Sequence, residues 1–206
     1  MKPEELAERI AAARRSGGEL ADASALPLEE GYAVQRLVAA RLGEPAGWKV
    51  GATNEGGQRF LGVSEPIRGR VLAAGVVRSG EAAPLPGDRA AEAEPEILFR
   101  LGRDPDGDPV GAVAAVHLGL EVNRPSRTDA LELGAGFIVA DNAAHAALVV
   151  GPGIPMAALD RPGEVRVRLL RNGEAAAEGD AAAVLGHPLE ALRRLARAAP
   201  LRACGP

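Results

Sequence analysis

Glu94-Pro95-Glu96 leads into the apolar run Ile97-Leu98-Phe99, and successive residues of a strand point to opposite faces. Both carboxylates therefore project to one side, about 7 Å apart along the backbone, which is close enough to grip one hard cation. Glu121 stands between Leu120 and Val122 in a run otherwise apolar, where an unpaired buried carboxylate is costly. Three oxygen donors, with no cysteine and no pair of histidines beside them, suit Mg2+ or Mn2+ better than zinc. Each glutamate alone also reads as a solvated charge at a strand end, so Glu-x-Glu by itself does not decide between the two. Lysine usage adds a second signal: of 24 basic residues only Lys2 and Lys49 are lysines, in a chain rich in arginine and alanine. A lysine kept inside such a chain points to a role that arginine cannot fill, because a compact ammonium can be shifted in pKa by its surroundings.

The remaining polar residues invite quieter readings. His117, on an apolar run, reads as a hydrogen-bonded core residue, and His187 before Pro188 as a residue that packs or caps a helix start. His145 follows Ala143-Ala144 and is a lesser candidate for facing the site. Asp141-Asn142, bounded by apolar residues, equally well organises backbone turns or shapes a pocket. No Gly-x-Ser-x-Gly elbow is present, and Gly151-Pro152-Gly153 lacks the Lys and Ser/Thr of a phosphate loop, so it reads as a turn.

These residues need elements to hold them, and the patterning supplies an α+β set. Helical spacing of Leu6, Ile10 and Ala13 behind Pro3 predicts a helix from Pro3 to Arg15, stopped by Gly17-Gly18. A second helix is expected from Leu28 to Leu42, and a last one from Pro188 to Ala199. Gly47 to Thr53 reads as a strand entering a glycine-rich loop, and short apolar runs between 70 and 100 as further strands. A helical stretch is expected around Val110 to Val116, feeding an apolar run through Glu121, and Ala146 to Val150 as a buried strand. Asn172-Gly173 after Val165-Arg166-Val167-Arg168-Leu169 predicts a hairpin with a type I′ turn. No repeat or linker divides the chain, so a single domain 1–206 is expected, with an N-terminal helical region over 1–45 and a β-rich catalytic region over 46–206.

With 47% hydrophobic and 25% charged residues, the chain can bury a core without a disulfide or metal, and its lone Cys204 forms no internal bridge. The net charge of −4 disfavours nucleic acid, and 2% aromatics disfavour stacking platforms for bases or sugars. Apolar runs such as Ala146 to Gly153 fall short of the roughly 20 residues of a membrane span. The start, Met1-Lys2-Pro3-Glu4-Glu5, lacks the features of a signal peptide, and a cytoplasmic protein is expected.

Trp48-Lys49-Val50-Gly51-Ala52-Thr53, then Leu61-Gly62-Val63 with Pro66 and Gly69, then Glu94-Pro95-Glu96-Ile97-Leu98-Phe99, resemble the 2-keto-4-pentenoate hydratase / 4-oxalocrotonate decarboxylase family of the fumarylacetoacetate hydrolase superfamily. Leu120-Glu121-Val122, Val139-Ala140-Asp141-Asn142-Ala143 and Leu185-Gly186-His187-Pro188-Leu189 resemble later motifs in the same order. The resemblance implies a curved, mainly antiparallel sheet or roll like the fumarylacetoacetate hydrolase C-terminal domain, covered at one side by N-terminal helices. It implies Glu94, Glu96 and Glu121 as ligands of Mg2+ or Mn2+, with Lys49 near the substrate carboxylate. The family often carries an acid where this chain has Ile67, and Glu65 is the nearby substitute for a catalytic role. Asp141 and Asn142 fall on the substrate side, and Arg124 and Arg127, just after Glu121, are placed to serve the second carboxylate of a decarboxylase substrate.

The implied activity is hydration of 2-hydroxypenta-2,4-dienoate (2-keto-4-pentenoate) to 4-hydroxy-2-oxopentanoate in aromatic catabolism. The rivals are decarboxylation of 2-oxo-3-hexenedioate (4-oxalocrotonate) and an impaired structural subunit of a hydratase-decarboxylase complex. Expected partners are a small 2-oxo or 2-hydroxy-dienoic acid, further copies in a homo-oligomer, and a decarboxylase or hydratase partner, with no nucleic acid and no membrane. The tail from Pro200 to Pro206 departs from the family's next segment, as a truncation would, and an exposed sheet edge and low activity are the expected results.

Overall fold

Pro3 in the first turn, Glu4 and Glu5 beside the positive end of the helix dipole and Arg14 and Arg15 beside its negative end favour helix α1 (Pro3–Ser16). Gly17, at φ 70°, stops it in the left-handed conformation. The computed structural model describes residues 1–203, so Cys204 lies outside the described residues. The chain continues as α2 (Leu28–Leu42), β1 (Pro45–Gly51), α3 (Glu55–Leu61), β2 (Ile67–Leu72), β3 (Val76–Arg78) and β4 (Glu92–Leu101). Then come β5 (Val113–Asn123), α4 (Gly134–Ala140), β6 (His145–Ile154), β7 (Arg166–Arg171), β8 (Glu174–Asp180) and α5 (Pro188–Ala198). This is an α+β chain. Its strands form a β1–β2 pair, a four-stranded sheet in the order β3-β6-β5-β4, and a β7–β8 pair, and both two-stranded pairs are antiparallel. Chain contacts divide it into two units, one of Met1–Glu94 with Glu121–Val149, the other of Pro95–Leu120 with the chain from Val150 onward.

In the first unit α1, α2 and α4 share a core in which Ile10, Val34, Val38, Phe137 and Val139 are at most 2% exposed. Each such side chain contributes about 1.5–3 kcal/mol of burial. Gly31 of α2 lies directly against the backbone of Gly136 in α4, leaving no space for a Cβ on Gly31, and a Cβ on Gly136 would meet the backbone of Leu26 and Pro27. The buried Gln35 of α2 donates to Arg68 O (2.7 Å) and Val139 O (2.9 Å), tying β2 and α4 to the same helix face. In the β1–β2 ladder Lys49 sits opposite Gly69, and Trp48 opposite Arg70, whose guanidinium stacks on the indole.

The second unit holds the β7–β8 hairpin, where Asn172 (φ 53°) and Gly173 (φ 87°) make the expected positive-φ turn. It also holds α5, begun by His187, whose Nδ1 accepts from Leu189 N at 3.2 Å, the expected capping role. His117 Nδ1 pairs with Gly151 O at 3.1 Å, so this histidine is hydrogen-bonded as expected.

Two local expectations are corrected. Val113 to Val116 are the start of β5, and only Pro109–Ala112 form a short 3-10 turn. β5 lies between β6 and β4, where β-branched valines pack well and both backbone edges find partners. Gly151-Pro152-Gly153 is not a turn but the far end of β6. β3, three residues long, is too short to line all ten residues of β6, so Pro152 needs no donor there.

The α2–α4 contact generates a prediction. Gly31→Ala forces a methyl into the Gly136 backbone, and such overpacking costs about 1–3 kcal/mol. Thermal unfolding should show a Tm lower by several degrees. An unchanged Tm would mean that the two helices do not meet as described.

Candidate active site

The site is built on an unusual turn. Asn142, Ala143 and Ala144, none of them glycine, take φ of 57°, 52° and 62° in succession. Left-handed backbone costs a residue with a Cβ about 1–2 kcal/mol, so three in a row persist only under constraint. Asn142 supplies some of it, accepting from Arg70 N at 2.7 Å and donating to Arg70 O at 2.8 Å, as a neighbouring strand would. Arg14, reaching from α1, donates to Asp141 Oδ1 (2.7 Å), to Asp141 O (3.0 Å) and to His145 O. Asp141 Oδ2 also accepts from Ser126 N, and Ala144 O from Arg124 N at 2.8 Å. The side chains of Asp141 and Asn142, both fully buried, are thus engaged in organising backbone.

The turn delivers His145 to the start of β6, where its Nδ1 meets Glu121 Oε1 of β5 at 2.6 Å. Lys49 Nζ reaches Glu121 Oε2 at 3.2 Å from β1. All three side chains are buried, at 2%, 3% and 11% exposure for His145, Glu121 and Lys49. Lys49 has its place because the residue facing it is glycine: a Cβ on Gly69 would lie 3.1 Å from Lys49 Cγ and 2.5 Å from Asn142 O. Glu94 and Glu96 of β4 complete a group in which one carboxylate oxygen from each of Glu94, Glu96 and Glu121 lies within 4.8 Å of the others. Oxygens that share one Mg2+ at about 2.1 Å lie up to about 4.2 Å apart, so small side-chain rotations suffice to close the group on an ion. Each oxygen of Glu121 keeps a second lone pair beside its protein hydrogen bond. Asn123 Nδ2 donates to Glu94 Oε2 at 2.8 Å while its buried Oδ1 has no partner, a further hard oxygen next to the cluster. The donor set therefore fits a hard divalent cation.

Electrostatics separates the carboxylates. For Glu121, burial alone would raise the pKa, but the His145 hydrogen bond and the Lys49 charge outweigh it and hold the carboxyl below its ordinary range. Glu94 goes the other way. It keeps an exposed face, yet the groups packed around its carboxyl strip enough water to raise its pKa. Lys49 opposes that rise, and the charges of Glu121 and Glu92 add to it.

Other expected site residues lie elsewhere. Glu65 is exposed on the bend before β2 and is not a member of the carboxylate group. Ile67 is a core residue at 3% exposure. Arg124 is buried, donates to Pro86 O at 2.6 Å and lines a cavity beside the turn. Sequence reasoning undervalued His145 and missed Asn123. For Asn123 a signal existed: it stands two residues after Glu121 on one strand, hence on the same face. His145 had none, because the left-handed turn that aims it carries no glycine.

The raised Glu94 carboxyl gives a signed prediction for metal-free protein. A carboxyl whose folded pKa lies above its unfolded value costs no stability when both states are protonated, and costs stability once pH rises through that range. Glu94→Gln should therefore raise Tm at neutral pH, and the gain should vanish toward pH 3–4, below the usual carboxylate range. A neutral-pH Tm at or below wild type would contradict this picture of the cluster.

No family model matches the chain. It is 34% identical over 183 residues to the TodF product hydratase of Pseudomonas putida F1, spanning 82% of this chain and 67% of that protein. It is 31% identical over 212 aligned positions to a 4-oxalocrotonate decarboxylase of a Pseudomonas species, spanning 97% and 81%. A 2-keto-4-pentenoate hydratase of Burkholderia vietnamiensis is 32% identical over 164 residues, spanning 73% and 59%. In fold the chain is similar to the 4-oxalocrotonate decarboxylase of Pseudomonas putida G7 complexed with magnesium and adipate, with a TM-score of 0.75 at 24% identity over 98% of this chain and 84% of that one. Sequence similarity at that level and over that length, on the same fold, places the chain in the 2-keto-4-pentenoate hydratase / 4-oxalocrotonate decarboxylase family.

Proposed function

We propose that the chain is a divalent-metal-dependent hydratase that converts 2-hydroxypenta-2,4-dienoate to 4-hydroxy-2-oxopentanoate, with Glu94, Glu96 and Glu121 as ligands of Mg2+ or Mn2+. The convergence of these three carboxylates carries the reading. The same reading places the fold in the fumarylacetoacetate hydrolase superfamily. The bound cation would act as a Lewis acid toward the carboxylate and adjacent oxygen of a 2-oxo acid. In the overall reaction the 2-hydroxyl proton leaves, a proton is delivered at C5, water adds at C4 and C3 takes up the last proton.

This chain's own groups cover the proton and charge steps. Lys49 holds positive charge at the edge of the carboxylate cluster, where it attracts the substrate carboxylate and can pass a proton. His145 fixes the rotamer of Glu121 through Nδ1, so that one ligand is oriented before substrate arrives. Burial of Lys49, Glu121 and His145 keeps bulk water from screening these charges. Decarboxylation of 2-oxo-3-hexenedioate stays a second reading because the decarboxylase relative aligns with nearly the whole chain.

Turnover of freshly generated 2-hydroxypenta-2,4-dienoate and of 2-oxo-3-hexenedioate, each with Mg2+, decides between them. We expect hydration with the first and none with the second. Glu96→Gln, which keeps shape and removes charge, should lower turnover about 100-fold at limiting Mg2+ and weaken Mg2+ binding, with the circular dichroism of the wild type. Wild-type rates at both limiting and saturating Mg2+ would remove Glu96 from the ligand set.

A further inference from the structure

The cavity beside the left-handed turn has a volume of about 320 Å3, within the range of small-molecule sites, and lies wholly inside the first unit. Four arginines are among its lining residues, Arg14, Arg15, Arg89 and Arg124, and not one aspartate or glutamate. Two of the four have carboxylate partners outside the lining: Arg14 pairs with Asp141 and Arg15 with Glu8. Arg124 and Arg89 do not. Arg124 NH2 donates to Pro86 O at 2.6 Å, and Arg89 NH1 donates to Pro125 O and Gly18 O at 2.9 and 3.2 Å. Among the described residues neither forms an ion pair, although Arg124 is only 7% exposed. Glu19 feels the charge of Arg89 but accepts its hydrogen bonds from Thr128.

A buried guanidinium with only carbonyl partners has given up water without gaining a counter-charge, and the chain nonetheless carries an excess of acids. Crowding adds to the cost, because burial and the neighbouring charges of Arg89 and Arg14 lower the pKa of Arg124. The hydroxyl of Ser126, another lining residue, is buried without a hydrogen-bond partner. His145 also lines the cavity, its Nε2 buried without a hydrogen-bond partner, and Leu42, Leu72 and the segment Pro84-Leu85-Pro86 give the wall an apolar part. We propose that this cavity is a binding site for a small organic carboxylate, its anionic head on Arg124 and Arg89 and its apolar body against Leu42, Leu72 and Leu85. An anion there pairs the uncompensated guanidiniums in a partly dry setting, where a charge-assisted hydrogen bond is strong. The site needs no metal and shares only His145 with the carboxylate cluster, so metal-free protein tests it apart from the hydratase reading.

Isothermal titration of chelating-resin-treated protein with hexanoate, and separately with inorganic phosphate, at ionic strength fixed by sodium chloride, tests this. Hexanoate should bind saturably at one site, and more tightly than phosphate. Arg124→Met should weaken it about tenfold or more, and Arg124→Lys less. Leu85→Trp, which fills the cavity without touching a charge, should also block binding, which guards against misfolding of the arginine variants. Lys49→Met should leave hexanoate binding at the wild-type value. Absence of saturable hexanoate binding, wild-type affinity in Arg124→Met and Leu85→Trp, or phosphate binding tighter than hexanoate would overturn the proposal. So would loss of binding in Lys49→Met, because the anion would then sit at the carboxylate cluster.

Discussion

The ion pair between Arg14 and Asp141 is the constraint on which the candidate site depends. Its two side chains, 9% and 0% exposed, hold the entrance to a backbone turn that two of its three residues, Ala143 and Ala144, disfavour. One guanidinium spans the turn, gripping Asp141 at its start and the carbonyl of His145 at its end. Asn142 then imitates a strand against Arg70, so the turn is pinned to β2 from the side. Reach determines the rest: His145 falls beside Glu121, and Glu121 beside Lys49. A buried pair of this kind contributes little net stability compared with an apolar replacement, and its value here lies in fixing one geometry.

The carboxylate cluster shows the tension common to binding sites. Glu121 is compensated inside the protein by a lysine and a histidine, whereas Glu94 sits close to other negative charge with a raised pKa. A group that repels itself when empty is one that a cation stabilises on arrival, because the repulsion it relieves adds to the attraction it brings. No helix among the described residues is long and apolar enough to cross a membrane.

Much of this was legible from sequence wherever one local rule acted alone. α1 and α2 followed from apolar spacing bounded by Pro3, Gly17 and Gly43, and the β7–β8 turn from Asn172-Gly173. The alternation that put Glu94 and Glu96 on one face is a property of any strand, and it held. α4 was not legible because Gly134–Ala140 is apolar almost throughout: a helix buried on all sides has no polar face to reveal its period. Val113 to Val116 was misjudged because tertiary pairing extended β5 across a segment whose own pattern was ambiguous. At Asn142–Ala144 the asparagine tolerates the left-handed conformation but the two alanines do not, and no reading of propensities finds a conformation that distant residues impose on them.

Distance along the chain has its own consequence. Arg14 and the turn it clamps are separated by 127 residues, so during synthesis the N-terminal helix leaves the ribosome long before its counterpart exists. At roughly 5–20 residues per second the delay is on the order of ten seconds, during which Arg14 has no anion to pair with. Closing so long a loop is entropically costly, and α4, the third helix of the core, ends one residue before Asp141, so core and clamp are completed together. A chain that stops short of α4 would therefore lack both the third helix of its core and the turn that aims His145 at Glu121.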